Sequence, residues 1–294
     1  MKEISPAPPP VVLEADQWRP LVDAHTARVR RATSAHLARR KRGERHPGED
    51  FLFEYYGFRP AQMARWHPGP GVGLRDAPDH AIWRWYSTDA GVTHLNVDAW
   101  RADRGGGASW VLELLRRMDA REPVFSCFGL HEWAMVYRLD ADQVRHQALP
   151  LRLAPEQVAD VVETHEIRCT HFDAFRFFTD AARPLNVLQP TREGQHDMEQ
   201  PGCLHGGAMD LYRWAFKLTP AVPSDILMDA FDLARRAREL DMRSSPYDVR
   251  SLGMVNIPIE TPAGKAAHVR EQRAIADAAR PIRHRLIEAI ERVL

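Results

Sequence analysis

Residues Ser224–Asp241 read SDILMDAFDLARRARELD, with apolar side chains recurring at three- and four-residue steps. That spacing is the period of an amphipathic α-helix. Pro223 precedes Ser224, which is expected to act as the N-cap. The same period recurs in Trp18–Arg42, Ser109–Asp119, Pro155–Phe178, Met209–Leu218 and Ala266–Leu294, and a shorter aromatic helix is expected over Asp50–Tyr56. Trp18–Arg42 is expected to stop at Gly43, before His46-Pro47. His67–Asp79 is rich in Pro and Gly and reads as loop, while Ile82–Tyr86 and Val92–Val97 flank a Ser-Thr-Asp-Ala-Gly turn and read as a β-hairpin. Short extended pieces are expected at Gln147–Leu153 and Val255–Ile259. The fold class expected is mainly α: a single helical domain over residues 16–294 with a small antiparallel β element, behind a disordered Pro-rich lead, residues 1–15.

The chain has 294 residues, 44% apolar and 27% charged, enough for one substantial core. No apolar run approaches the roughly 18 residues of a membrane span. Lys+Arg and Asp+Glu balance at 40 each, so there is no general attraction to nucleic acid. The one basic concentration is Arg28–Arg45, RVRRATSAHLARRKRGER, either a solvated helix face or a phosphate track. The start, MKEISPAPPP, lacks an apolar signal core, and the three widely spaced cysteines form no disulfide framework, so a cytoplasmic location is expected. No phosphate-binding loop, dinucleotide fingerprint or serine elbow is present.

Two segments carry candidate chemistry. In Thr164–Phe178, THEIRCTHFDAFRFF, a continuous helix would place His165 and Cys169 on one face as ligands to a metal or a haem, with His131 and His205 as further ligands and His171 pointing elsewhere. The spacing matches no structural zinc site. The alternative is that these residues fill a helical core. In EDFLFEYYGFRPAQMARWHPG, Asp50 and Glu54 would share a helix face and direct a water, while Tyr55, Tyr56, Trp66 and Arg59 would hold a flat cationic base. Here too the bland alternative is a packed core with Asp50 as a cap. Arg192, Glu193 and their neighbours form a polar connection, and Asp241 and Arg243 are expected to pair locally.

The stretches GERHPGEDFLFEYYGFRP, RWHPGPGV, CFGLHEWAMVYR, HEIRCTHFDAFRFFT, LQPTREGQ, EQPGCLHGGAMDLYRWAFKL and ELDMRSSPYD together resemble a family of actinobacterial proteins carried under the name 3-methyladenine DNA glycosylase. The resemblance spans roughly residues 16 to 280. It implies a hydrolase that excises an N-alkylated purine from DNA without a cofactor, with the base flipped between aromatic walls. His165-x-x-x-Cys169 is also similar to an element of histidine-ligated haem tyrosine hydroxylases. Three readings therefore stand: a DNA glycosylase, a haem- or metal-dependent enzyme of oxygenase type acting on a small molecule, and a non-catalytic helical binding protein.

Overall fold

A computed structural model describes residues 11–140, 143, 144 and 149–294 of the chain. The described residues are mainly α-helical, with one small four-stranded sheet. In chain order they form β1 (Val11–Leu13), α1 (Ala15–Arg42), α2 (Phe51–Tyr55), α3 (Pro60–Met63), β2 (Val72–Arg75), α4 (Pro78–Ala81), β3 (Tyr86–Asp89), β4 (Val92–Leu95) and α5 (Val97–Asp119). There follow α6 (Leu130–Ala134), α7 (Pro155–Thr164), α8 (Phe172–Phe175), α9 (Gln195–Met198), a π-helical turn at Leu204–Met209, α10 (Asp210–Lys217), α11 (Ser224–Ser244) and α12 (Pro262–Glu291). No helix among them is long and apolar enough to cross a membrane.

The core is built around α11, whose Ile226, Leu227, Phe231, Ala234 and Leu240 are buried, as the period of its sequence requires. It packs against α12, α10 and the π-turn, and Trp100, Trp133 and Tyr212 fill the space between elements. Burying such side chains stabilises by about 1.5–3 kcal/mol each. Ser224 is the first helical residue and not the N-cap; its hydroxyl reaches sideways, accepting from His67 N at 2.8 Å. Helix α1 begins where the Gln17 side chain accepts from Glu14 N at 2.9 Å and ends at Gly43, whose left-handed φ of 71° closes it as expected.

Several boundaries differ from the sequence reading. Val11–Leu13, assigned to the lead, adds a strand parallel to β2, so the sheet, in the order β1-β2-β4-β3, is mixed and not purely antiparallel. Residues 1–10 lie outside the described residues. The hairpin is shifted by several residues: Ile82 lies beyond the end of α4 and is exposed, and Tyr86–Asp89 pairs with Val92–Leu95 across Ala90-Gly91. Both turn residues have positive φ, 49° and 77°, as a two-residue hairpin turn demands. Helix α5 starts at Val97 and runs through Gly105-Gly106-Gly107, because Trp100 at one end and Leu114, Leu115 and Met118 at the other are anchored in the core. Helix α12 starts at Pro262, where Thr261 caps Gly264 N. Leu151 bridges to Tyr247, residues 147 and 148 lie outside the described residues, and Val255–Ile259 forms no strand.

The largest correction falls on Pro155–Phe178, which is not one helix. α7 ends at Thr164, His165 is extended, and Ile167 forms a parallel bridge with Asn186 before α8 begins. In this extended stretch Ile167, Cys169 and His171 are buried while Glu166 and Arg168 are exposed, the period of two of a strand. His165 and Cys169 therefore share no helix face, and His171 points into the core beside Cys169.

Candidate metal centre

Three segments far apart in sequence converge beside α11. Gly129, with φ of 74°, turns the chain tightly against Ser244 and starts α6, which carries His131 and Glu132. The π-turn carries His205; a side chain at Gly206 would run into the Glu199 carboxylate, so only glycine lets the turn approach. π-turns are often found at functional sites. On α11, Arg238 and Asp241 stand three residues apart on one face.

His131 Nε2 donates to Asp241 Oδ1 at 2.8 Å, and His205 Nε2 lies 3.7 Å from Asp241 Oδ2. One donor atom from each of His131, His205 and Asp241 falls within 4.8 Å of the other two, and all three residues are buried. Arg238 braces the carboxylate, donating to Asp241 Oδ2 at 2.6 Å and to Glu132 Oε1 at 2.7 Å, with its guanidinium 4.0 Å from the Phe51 ring. Its Nε and second terminal nitrogen have no hydrogen-bond partner. Behind His205, at 5.3 Å and nearly parallel to it, lies His171, whose Nδ1 meets Glu199 Oε1 at 2.5 Å. Cys127 Sγ sits 3.7 Å from His131 Nδ1.

Burial alone would raise the Asp241 carboxyl, but the His131 imidazolium, itself held protonated by Asp241, and the Arg238 guanidinium hold it well below the carboxylate range. Burial and the neighbouring His131 push His205 down, keeping its imidazole neutral with a lone pair free. For His171 burial acts downward, yet the Glu199 carboxylate prevails and lifts it to about 9. The cluster thus contains a neutral imidazole, a fixed carboxylate and a buried imidazolium–carboxylate pair, all in one low-dielectric pocket.

Two cavities of about 20 Å³ each meet at His205. Phe51, Tyr55, Glu132, Asp173, Phe177 and Arg238 line one; Cys127, Cys169, Cys203, Gln200 and His131 line the other. Each has room for a water or an ion. Neither has room for a macrocycle, so the residues present do not fit a haem.

Of the ligands expected from the sequence, the structure brings His131 and His205 together and leaves the others out. His165, the C-cap residue of α7, donates from Nδ1 to the Val161 carbonyl in the last turn of that helix at 2.7 Å, while Cys169 is buried beside the second cavity. Asp50 and Glu54 lie along an open cleft of about 510 Å³ with Arg59. The Asp50 carboxylate is already engaged by His36 Nδ1 at 2.9 Å, by Arg39, and by His46 N at 2.8 Å. Glu54 is exposed and faces Arg45 at 3.8 Å. Tyr55 turns instead toward the Arg238 cavity, Tyr56 donates to Asp210 Oδ1 at 2.9 Å, and Trp66 packs near Trp18 in a satellite cluster. These three rings form no common cage with Arg59. The expected Asp241–Arg243 pair is absent: Arg243 turns to Glu271.

Within Arg28–Arg45, Arg28 pairs with Asp229 and Asp232, Arg39 with Glu49 and Asp50, Arg42 with Glu44 and Arg45 with Glu54, while Arg30, Arg31, Arg40 and Lys41 make no ion pair among the described residues. The sequence reading missed Asp241, Arg238, Glu132 and Glu199. A usable signal was the placement of Arg238 and Asp241 inside the apolar stripe of α11, where charge is tolerated only when paired. Comparisons with family models, with curated proteins and with solved structures find no match, so the reading of this centre stands on its own geometry.

Proposed function

We propose that the protein is a metal-dependent enzyme of oxygenase type acting on a small molecule, with His131, His205 and Asp241 as the metal ligands. The observation that carries this reading is the mutual approach, within 4.8 Å, of two imidazole nitrogens and a carboxylate oxygen from three distant segments. A divalent ion would be held by His131, His205 and Asp241, and its binding would release the proton that His131 shares with Asp241. Two histidines and one carboxylate leave further positions open and suit Fe(II) with dioxygen chemistry. The bound metal supplies the redox and Lewis-acid chemistry.

The remaining residues have clear duties. Arg238 holds Asp241 in orientation, the role of an outer partner that typically sets affinity by 10–100-fold. Its two unpartnered nitrogens are free to donate to a water or a single ligand oxygen entering the small Phe51–Tyr55 cavity. His171 and Glu199 hold a proton one ring away from His205. The three cysteines, all free, fit a reducing compartment such as the cytoplasm.

The glycosylase reading draws its support from the resemblance of the motifs and less from the geometry. A water-directing carboxylate needs a free lone pair, and Asp50 spends both oxygens on His36, Arg39 and His46.

The test is anaerobic loading with Fe(II), Mn(II) or Zn(II), followed by elemental analysis and oxygen-uptake measurements. About one Fe(II) per chain and Fe(II)-dependent oxygen uptake are expected. Tight zinc without oxygen uptake would replace the oxygenase reading by a hydrolytic one, and release of methylated purine from alkylated DNA by metal-free protein would replace both.

A further inference from the structure

A second cleft, of about 550 Å³, opens where the Trp83–Trp85 loop, the first turns of α5 and the C-terminal end of α10 meet. Its volume is within the range of roughly 300–1,000 Å³ of small-molecule sites. It shares no residue with the centre at Asp241. The lining combines flat rings with positive charge: Trp83, Trp85, Phe58 and Phe216 alongside Arg65, Arg84, Arg104 and Lys217, and no acidic residue.

The charge here is largely uncompensated. Arg84 pairs with Asp103 at 2.7 Å, and the Trp85 indole N–H donates to the same carboxylate. Among the described residues Arg65, Arg104 and Lys217 make no ion pair. Arg65 instead sits 5.5 Å from the Trp83 ring, and Arg84 and Arg104 lie 4.5 Å and 5.4 Å from the same Trp85 ring. Burial, and after it the guanidinium of Arg213, push the Lys217 ammonium down against the opposing pull of Asp210 and Asp173. In a chain of zero net charge, this concentration is assembled from four separate segments.

The backbone adds an independent observation. Trp85 has φ of 67°, in the left-handed region where glycine or asparagine is the ordinary occupant. A bulky aromatic held there by its surroundings is the kind of local strain that gathers at ligand sites. The conformation sets the indole at the cleft, between the two arginines.

We propose that this cleft binds a nucleoside phosphate, its base stacked on the aromatic rings and its phosphates met by Arg65, Arg104 and Lys217. Flat faces beside unpaired cations match both halves of such a ligand, and the Gln62 amide and Thr219 hydroxyl supply polar groups for ring edges or sugar.

Isothermal titration of the full chain with ATP, adenosine, inorganic pyrophosphate and single-stranded oligothymidine tests this. Saturable binding of ATP is expected, with adenosine and pyrophosphate each weaker by about tenfold or more, the loss that follows removal of one stacked ring or its phosphate contacts. Trp85→Ala and Lys217→Glu should each weaken ATP by about tenfold. Arg104→Glu, on an exposed side chain without an ion pair, carries the same test should Trp85→Ala fail to fold. Pyrophosphate binding as tightly as ATP would overturn the proposal in favour of a plain cationic patch. An oligonucleotide binding tighter than ATP, with a steep salt dependence, would overturn it in favour of a strand-binding surface. No binding at millimolar ATP would also overturn it. None of these outcomes bears on metal binding at Asp241.

Discussion

Asp50 and Asp241 are built from the same parts, a buried carboxylate with a histidine on one oxygen and an arginine beside it, yet they do different work. Asp50 takes its partners from nearby in the chain, His36, Arg39 and His46, and they saturate it. The result is a clasp that ties the end of α1 to the start of α2. Asp241 takes His131 and His205 from remote segments, and His205 Nε2 stops 3.7 Å away, beyond hydrogen-bond distance. An aspartate whose partners fill it holds structure; one left with an unfilled approach, next to a cavity, can hold an ion. The histidine–arginine–aspartate composition does not separate the two, but the unfilled approach does.

That contrast is broken most forcefully at the carboxylates themselves. Asp241→Asn removes the counter-charge of His131 and one of the two of Arg238 and should cost about 3–5 kcal/mol in denaturant unfolding while abolishing metal binding. Asp50→Asn should cost less, about 1–3 kcal/mol, and leave metal uptake intact. Loss of metal in the Asp50 variant would erase the distinction. Gly206→Ala places a methyl against the Glu199 carboxylate and should cost about 3 kcal/mol, with weaker metal binding, both read from the same unfolding and loading curves.

Acid sharpens the comparison at a third buried group. His67 is held down to about 3, chiefly by burial. Its contribution is therefore complete above the ordinary histidine value of 6.5 and is lost as pH falls toward 3. About 2 kcal/mol should be gone by pH 5, and His67→Gln should flatten that part of the stability profile. The Asp50 carboxyl, which burial would raise but Arg39 and His36 hold down, contributes above its usual value near 3.8 and loses its contribution only as pH falls through a still lower one. The Asp50 loss should thus begin only near 3.8, at the acid end of the His67 window. The smallest expected effect is a gain: Gly106→Ala, in the exposed middle of α5 with open space around it, should add about 0.5–1 kcal/mol.

The long helices were legible because their apolar residues repeat with one period from end to end, as in α11 and α12. α5 was read short because three glycines hide a helix that its buried ends hold in place. Thr164–Phe178 was misread because its bulky residues suit a helix while the alternation of Glu166 and Arg168 with Ile167 and Cys169 demands an extended chain. The candidate centre was half visible: His131 and His205 stand out as ligand types, but no spacing links them to Asp241, which long-range packing alone brings to them. His165 illustrates the converse, a ligand-type residue that folding turns toward its own helix end.

The most direct test of the metal centre is equilibrium dialysis against Co(II), monitored by visible absorption, on the native chain and on its His205→Ala and His165→Ala variants. The account expects about one tightly held ion per chain in the native protein and in His165→Ala, and none in His205→Ala. A native protein that takes up no ion, or a His205→Ala protein that keeps it, would contradict the account.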